Sequence, residues 1–329
     1  MKQISKNNID TTSVNAYAYL HPHPLDIETN GDFEVDEISW IPGFDSSDIG
    51  EEGEHPFFRD QNIQLYNKIE AVTLESFRVA LKNIWPLLDS YIVNSIQIAV
   101  DITGNLFTDS RVLAAYNFED SRPQKGNYIF NLAPLYLMRL LKKIENNVEV
   151  DMKYNTIWEH ELIHLLDHWQ SVKSSVYNDS NVSSIYFNFY LSQYRTEGIA
   201  ELYYLLKGGI QDVKTMAQAK EKFQNNVYAI RKLVSDKPIL SKNDKDKLFK
   251  TYDFYELGPW IVLDVLNTFE GGFHTEIIST VIKQVEDGKV IDHNVILEVI
   301  KIGLRIKLDE FLLEIQHDLT DNNIKYNLN

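Results

Sequence analysis

The stretch Trp158-Glu159-His160-Glu161-Leu162-Ile163-His164-Leu165-Leu166-Asp167-His168-Trp169 holds three of the nine histidines in the chain. On a helix, at about 100° per residue, His160, Glu161, His164, Asp167 and His168 gather on one side, and Trp158, Leu162, Leu165, Leu166 and Trp169 gather opposite. Histidines four apart stack one turn over the other, so both imidazoles can reach one ion. The adjacent Glu161 then points toward water bound on that ion. The chemistry of such a set is the activation of water for hydrolysis.

A third ligand is needed, and several positions compete. A histidine six residues beyond His164 is absent, because Gln170 stands there, and Asp167 occupies the glycine position of that arrangement, which excludes the metzincin pattern. His168 lies two turns from His160, about 12 Å along the axis, too far for both to hold one ion in an unbroken helix. Asp167 has a similar difficulty, and both are expected to support or line the groove. Downstream, Tyr194-Arg195-Thr196-Glu197-Gly198-Ile199-Ala200-Glu201-Leu202 puts Glu197 and Glu201 on one helical face, and small Gly198 and Ala200 permit close helix packing. A carboxylate from this helix would complete a two-His, one-Glu site.

On these residues the sequence resembles the gluzincin branch of zinc metallopeptidases, in which a second helix carries the ligand Glu in a Glu-Gly-x-Ala-Glu context. The resemblance implies zinc held by His160, His164 and Glu197, with Glu161 as general base. It also implies that Glu201 is the acid fixing the tautomer of a zinc histidine, that of His160. Tyr255-x-x-Gly258 before an apolar helix resembles the segment that supplies an oxyanion donor in several such families. Tyr255 is therefore a candidate for that role, beside the plain alternative of a tyrosine at a helix interface, and His274 is a further candidate. Two departures stand out: Thr196 replaces a common Asn, and 32 residues separate His164 from Glu197. The excess falls in the polar stretch Lys173–Ser184, either a surface excursion or a lid.

The elements that must carry these residues are legible in outline. Residues 1–65 read as an irregular arm or subdomain, punctuated by Pro22, Pro24, Pro42 and Pro56, and its His21-Pro22-His23-Pro24 run reads as extended chain rather than as a metal site. Residues 66–170 begin with a long helix over Ile69–Tyr91, followed by strand-like runs at Ser95–Asp101, Leu113–Phe118 and Tyr128–Leu132 and then the histidine helix. Residues 171–329 read as a helical lobe with the third ligand, broken near Gly208-Gly209, Pro238, Gly271-Gly272 and Asp287-Gly288. The expected architecture is α+β and zincin-like, with a small, mostly antiparallel sheet packed on the zinc helix. Tyr128–Leu132 is the expected edge strand for an extended substrate.

Composition narrows the function further. The 329 residues are 44% hydrophobic and 24% charged, ordinary for a globular chain. Without cysteine there is no disulfide, thiolate zinc site, iron–sulfur cluster or cysteine nucleophile, so any metal must sit on His, Asp or Glu. A formal charge of −16 with no dense basic block argues against nucleic acid as a partner. No leader-like apolar segment opens the chain and no run reaches the roughly 18 apolar residues of a membrane span, so the expectation is a cytoplasmic protein acting on peptide or protein. Walker, dinucleotide-binding and Gly-x-Ser-x-Gly patterns are absent. The leading expectation is a zinc-dependent metallopeptidase. The alternatives are a non-catalytic or regulatory binding protein on the same scaffold, and a helical interaction protein in which the motif is accidental.

Overall fold

A computed structural model describes residues 37–43, 60–88, 95–101, 113–117, 121–122, 125–133, 153–170, 182–209, 211–235, 253–269 and 275–321. The chain forms two compact units, Met1–Leu162 and Ile163–Asn329. The division falls inside the histidine helix, which therefore belongs to both. The runs His21–Pro24 and Lys173–Asn181, and His274, lie outside the described residues.

In the first unit, β1 (Glu37–Gly43), β2 (Ser95–Asp101), β3 (Ala114–Tyr116) and β4 (Asn127–Leu132) form one sheet in the order β1-β2-β4-β3. β1 pairs parallel with β2, from Glu37↔Ser95 to Gly43↔Asp101, and β2 pairs parallel with β4, from Ser95↔Asn127 to Val100↔Leu132. β3 alone is antiparallel, setting Tyr116 opposite Phe130. The sheet is thus mixed and not mostly antiparallel as expected. Parallel neighbours need a long crossover, and the 29-residue helix α1 (Asp60–Leu88) supplies it between β1 and β2. The expected edge strand is also corrected: β4 lies between β2 and β3, so among the described residues the edges are β1 and β3.

Alternation explains the sheet locally. Ile96 and Ile98 of β2 and Tyr128, Phe130 and Leu132 of β4 are fully buried, whereas Gln97, Ile129 and Asn131 are half-buried. α1 presents Leu74, Phe77, Leu81, Ile84 and Leu88 at helical spacing, all buried. Phe77 meets Phe130 edge-on at 5.4 Å and Trp158 at 5.2 Å, joining α1, the sheet and the histidine helix α2 (Lys153–Gln170). The amide of Asn83 donates to the fully buried carboxylate of Glu159 at 2.6 Å, a second tie between α1 and α2.

The second unit is helical. α3 (Val182–Leu206) is buried nearly all round along Tyr190–Leu206, and α5 (Asp253–Thr268) buries Leu257 through Leu263. The amphipathic helices α4 (Met216–Ser235), α6 (Thr275–Glu286), α7 (His293–Arg305) and α8 (Leu308–Asp321) complete it. Two of the expected breaks are turns closed by left-handed glycines, Gly208 at φ +81° after α3 and Gly288 at φ +64° after α6. The Asp292 side chain caps α7 by accepting from the Asn294 N–H at 2.9 Å. Among the described residues no helix is long and apolar enough to cross a membrane.

Candidate metal centre

α2 sets the two histidines. Its apolar face, Trp158, Leu162, Leu165 and Leu166, is fully buried, and His160 and His164 lie one turn apart on the other side, 9% and 6% exposed. That face is buried as well, so the imidazoles are largely withdrawn from water. α3 brings Glu197 to them: one ligand atom from each of His160, His164 and Glu197 falls within 4.8 Å of the others. His164 Nε2 lies 3.4 Å from Glu197 Oε2. Two ligands about 2.1 Å from a tetrahedral zinc lie about 3.4 Å apart, so the spacing and the nitrogen and oxygen donors fit such an ion. The cluster can hold a metal ion, and among the described residues it is the one group of His, Asp and Glu side chains that converges in this way.

α3 packs closely on α5 beside Glu197. Gly198, its chain neighbour, lies against the backbone of Gly258, and a Cβ added at Gly198 would stand 2.5 Å from the Gly258 carbonyl carbon. The glycine of the Tyr255-x-x-Gly258 segment thus has a packing reason: neither helix tolerates a side chain at the crossing. Tyr255 lies in the first turn of α5, 42% exposed, one turn before that crossing.

Glu161, 6% exposed, is not part of the converging group. Its Oε2 accepts the backbone N–H of Tyr116 at 2.7 Å. An edge strand presents outward amides that lack a ladder partner, and β3 gives this one to the carboxylate beside His160. The Tyr116 phenol itself is a neutral core group, pushed up to about 12 by burial. Glu201 stands one turn beyond Glu197 on α3, half-buried, and is likewise outside the converging group.

Asp167 holds a different partner. Its two carboxylate oxygens accept from Nη1 of Arg195 at 2.8 and 2.9 Å, and both residues are 6% exposed. Arg195 also donates its Nε–H to the Ile306 carbonyl at 2.9 Å. His168 is half-buried, and burial lowers its pKa against the opposing effect of Asp167.

Sequence reasoning passed over Arg195, the Tyr116 amide and Asn83. Arg195 had a signal: α3 carries three charged residues, Arg195, Glu197 and Glu201, all within seven positions. An arginine in a largely apolar helix, where charges are this few, needs an acid partner if it is buried. The Tyr116 amide had none, because every residue but proline carries that group. No protein-family model, no curated protein and no solved structure matches the chain, so the site stands on its own geometry.

Proposed function

We propose that the chain is a zinc-dependent metallopeptidase of gluzincin type. The observation that carries this reading is the convergence of His160, His164 and Glu197 with Glu161 adjacent in sequence to the first ligand. Bound there, zinc would supply a Lewis acid and would lower the pKa of its bound water to about 7. Glu161 takes the proton from the attacking water and delivers it to the leaving amine, its carboxylate oriented by the Tyr116 N–H. Tyr255 donates its hydroxyl to the developing oxyanion, and Glu201 fixes the orientation of the His160 ring. Support for Tyr255 is its place one turn from the Gly198–Gly258 crossing, which ties its helix to that of Glu197.

An extended peptide can add as a further strand on the outer edge of β3, beside the Tyr116 N–H that the proposed base already takes. Glu161→Gln tests the reading with casein and a mixed fluorogenic peptide library. Wild type and variant should each take up about one zinc per chain, and the variant should lose about 100-fold or more of the cleavage rate. Equal cleavage by both, or cleavage by neither when zinc is bound, refutes the peptidase.

A further inference from the structure

We propose that the Asp167–Arg195 ion pair is a positioning clamp that sets the affinity of the His160–His164–Glu197 site for zinc by holding the Glu197 helix at a fixed place on the His164 helix. The inference rests on the zinc reading and goes beyond it, because neither residue is a ligand.

Among the described residues, two contacts between α2 and α3 lie close together. One is the ligand pair, His164 with Glu197 at 3.4 Å; the other is Asp167 with Arg195 at 2.8 and 2.9 Å. Along α2 the second link lies three residues after the first, and along α3 it lies two residues before it, so the helices run antiparallel here. Those steps are about 4.5 and 3 Å, one turn or less. A single link leaves a helix free to pivot about it, and a second link one turn away fixes the angle. The guanidinium is itself held at a third point, the Ile306 carbonyl at 2.9 Å, so its plane is set by the chain following α7.

Burial makes the clamp stiff. At 6% exposure, neither Asp167 nor Arg195 can exchange its partner for bulk water at low cost. Placement of this stringency matters for a metal ligand, which must arrive within about 0.2 Å of its bond length. Glu197 is the ligand exposed to the risk, since the two histidines share one helix while the carboxylate comes from another.

The test measures zinc affinity by competition with a chromophoric chelator, and stability by thermal melting in EDTA. Removal of one charge alone leaves the other buried, so the informative variant is the double replacement Asp167→Leu with Arg195→Met, which leaves no unpaired charge. Zinc affinity should fall about 10- to 100-fold, the usual effect of removing a group that orients a ligand. The melting temperature of the zinc-free protein should stay close to that of wild type. Arg195→Lys, which keeps the charge and loses the planar guanidinium, should fall between the two. As a control, Val227→Ala in α4 should lower the melting temperature and leave zinc affinity unchanged.

Wild-type zinc affinity in the double variant, or in Arg195→Lys should the double variant not fold, overturns the clamp and leaves the metal reading standing. Failure of the wild type to bind zinc removes the metal reading, and the clamp with it.

Discussion

Replacing Gly198 by alanine should both destabilise the helical unit and weaken the metal site. The added Cβ would stand 2.5 Å from the carbonyl carbon of Gly258, 2.6 Å from its oxygen and 2.9 Å from its Cα. All three atoms are backbone, so no side chain can swing aside. Ordinary carbon contacts lie at about 3.5–4.0 Å, so α3 and α5 must part by about 1 Å at the crossing. Overpacking of this kind costs about 3 kcal/mol at the upper end, and the better helix propensity of alanine returns about 1 kcal/mol. A net loss of about 2 kcal/mol lowers the melting temperature of a unit this size by about 4–8 °C.

Glu197 is the residue just before Gly198, and a shift of about 1 Å is several times the roughly 0.2 Å that a metal ligand tolerates. Zinc affinity should therefore fall at least about 10-fold. Thermal melting followed by circular dichroism in EDTA reads the first effect, and chelator competition reads the second. Gly208→Ala is the matched control. Its Cβ would meet nothing within 4 Å, but its φ of +81° strains alanine by about 1–2 kcal/mol, so stability alone should drop. A Gly198→Ala protein as stable as wild type with unchanged zinc affinity refutes the crossing as the device that places Glu197.

Two more expectations concern stability. Burial holds the His168 pKa below its ordinary 6.5, so the fold favours the neutral ring. Its contribution is complete above pH 6.5 and is lost as pH falls toward the depressed value. Chemical denaturation in EDTA at pH 5–7.5 should show a flatter pH dependence for His168→Gln than for wild type, and matching slopes would count against the burial effect. Phe77→Ala opens a cavity among Phe130, Trp158 and the rest of the first unit's core, costing about 3–5 kcal/mol in denaturant titrations. A loss under about 1 kcal/mol would mean that this aromatic cluster does not organise the unit.

Periodicity was a good guide wherever one element buries one face. The helix expected over Ile69–Tyr91 is α1, begun nine residues earlier at Asp60 and ended at Leu88, past Pro86 in its last turn. The strands at Ser95–Asp101 and Tyr128–Leu132 are β2 and β4, with β4 one residue longer. β1 escaped notice inside the Pro-punctuated arm. Its Pro42 pairs opposite Val100, which an edge strand accommodates because one side of the ladder is unused. Strand order escaped for another reason: chain order does not say whether β3 passes outside or inside β4, and β3 has only three residues with which to signal anything.

The histidine pair was written in the chain because one helical turn is a local property: four residues suffice to stack His160 over His164 wherever the helix sits. The type of the third ligand was legible too, since a chain without cysteine must use a carboxylate or a further histidine. Glu197 itself was named from the Glu-Gly-x-Ala-Glu context of its helix, but nothing local in the chain says how it arrives. It comes from 33 positions away, and its place depends on contacts between distant residues, Gly198 with Gly258 and Asp167 with Arg195. Such contacts are properties of packing, in which a glycine matters through what lies opposite it and a buried arginine through the acid that meets it. The same holds for Glu161, whose orienting partner is a backbone amide that only the position of β3 in the sheet turns toward it.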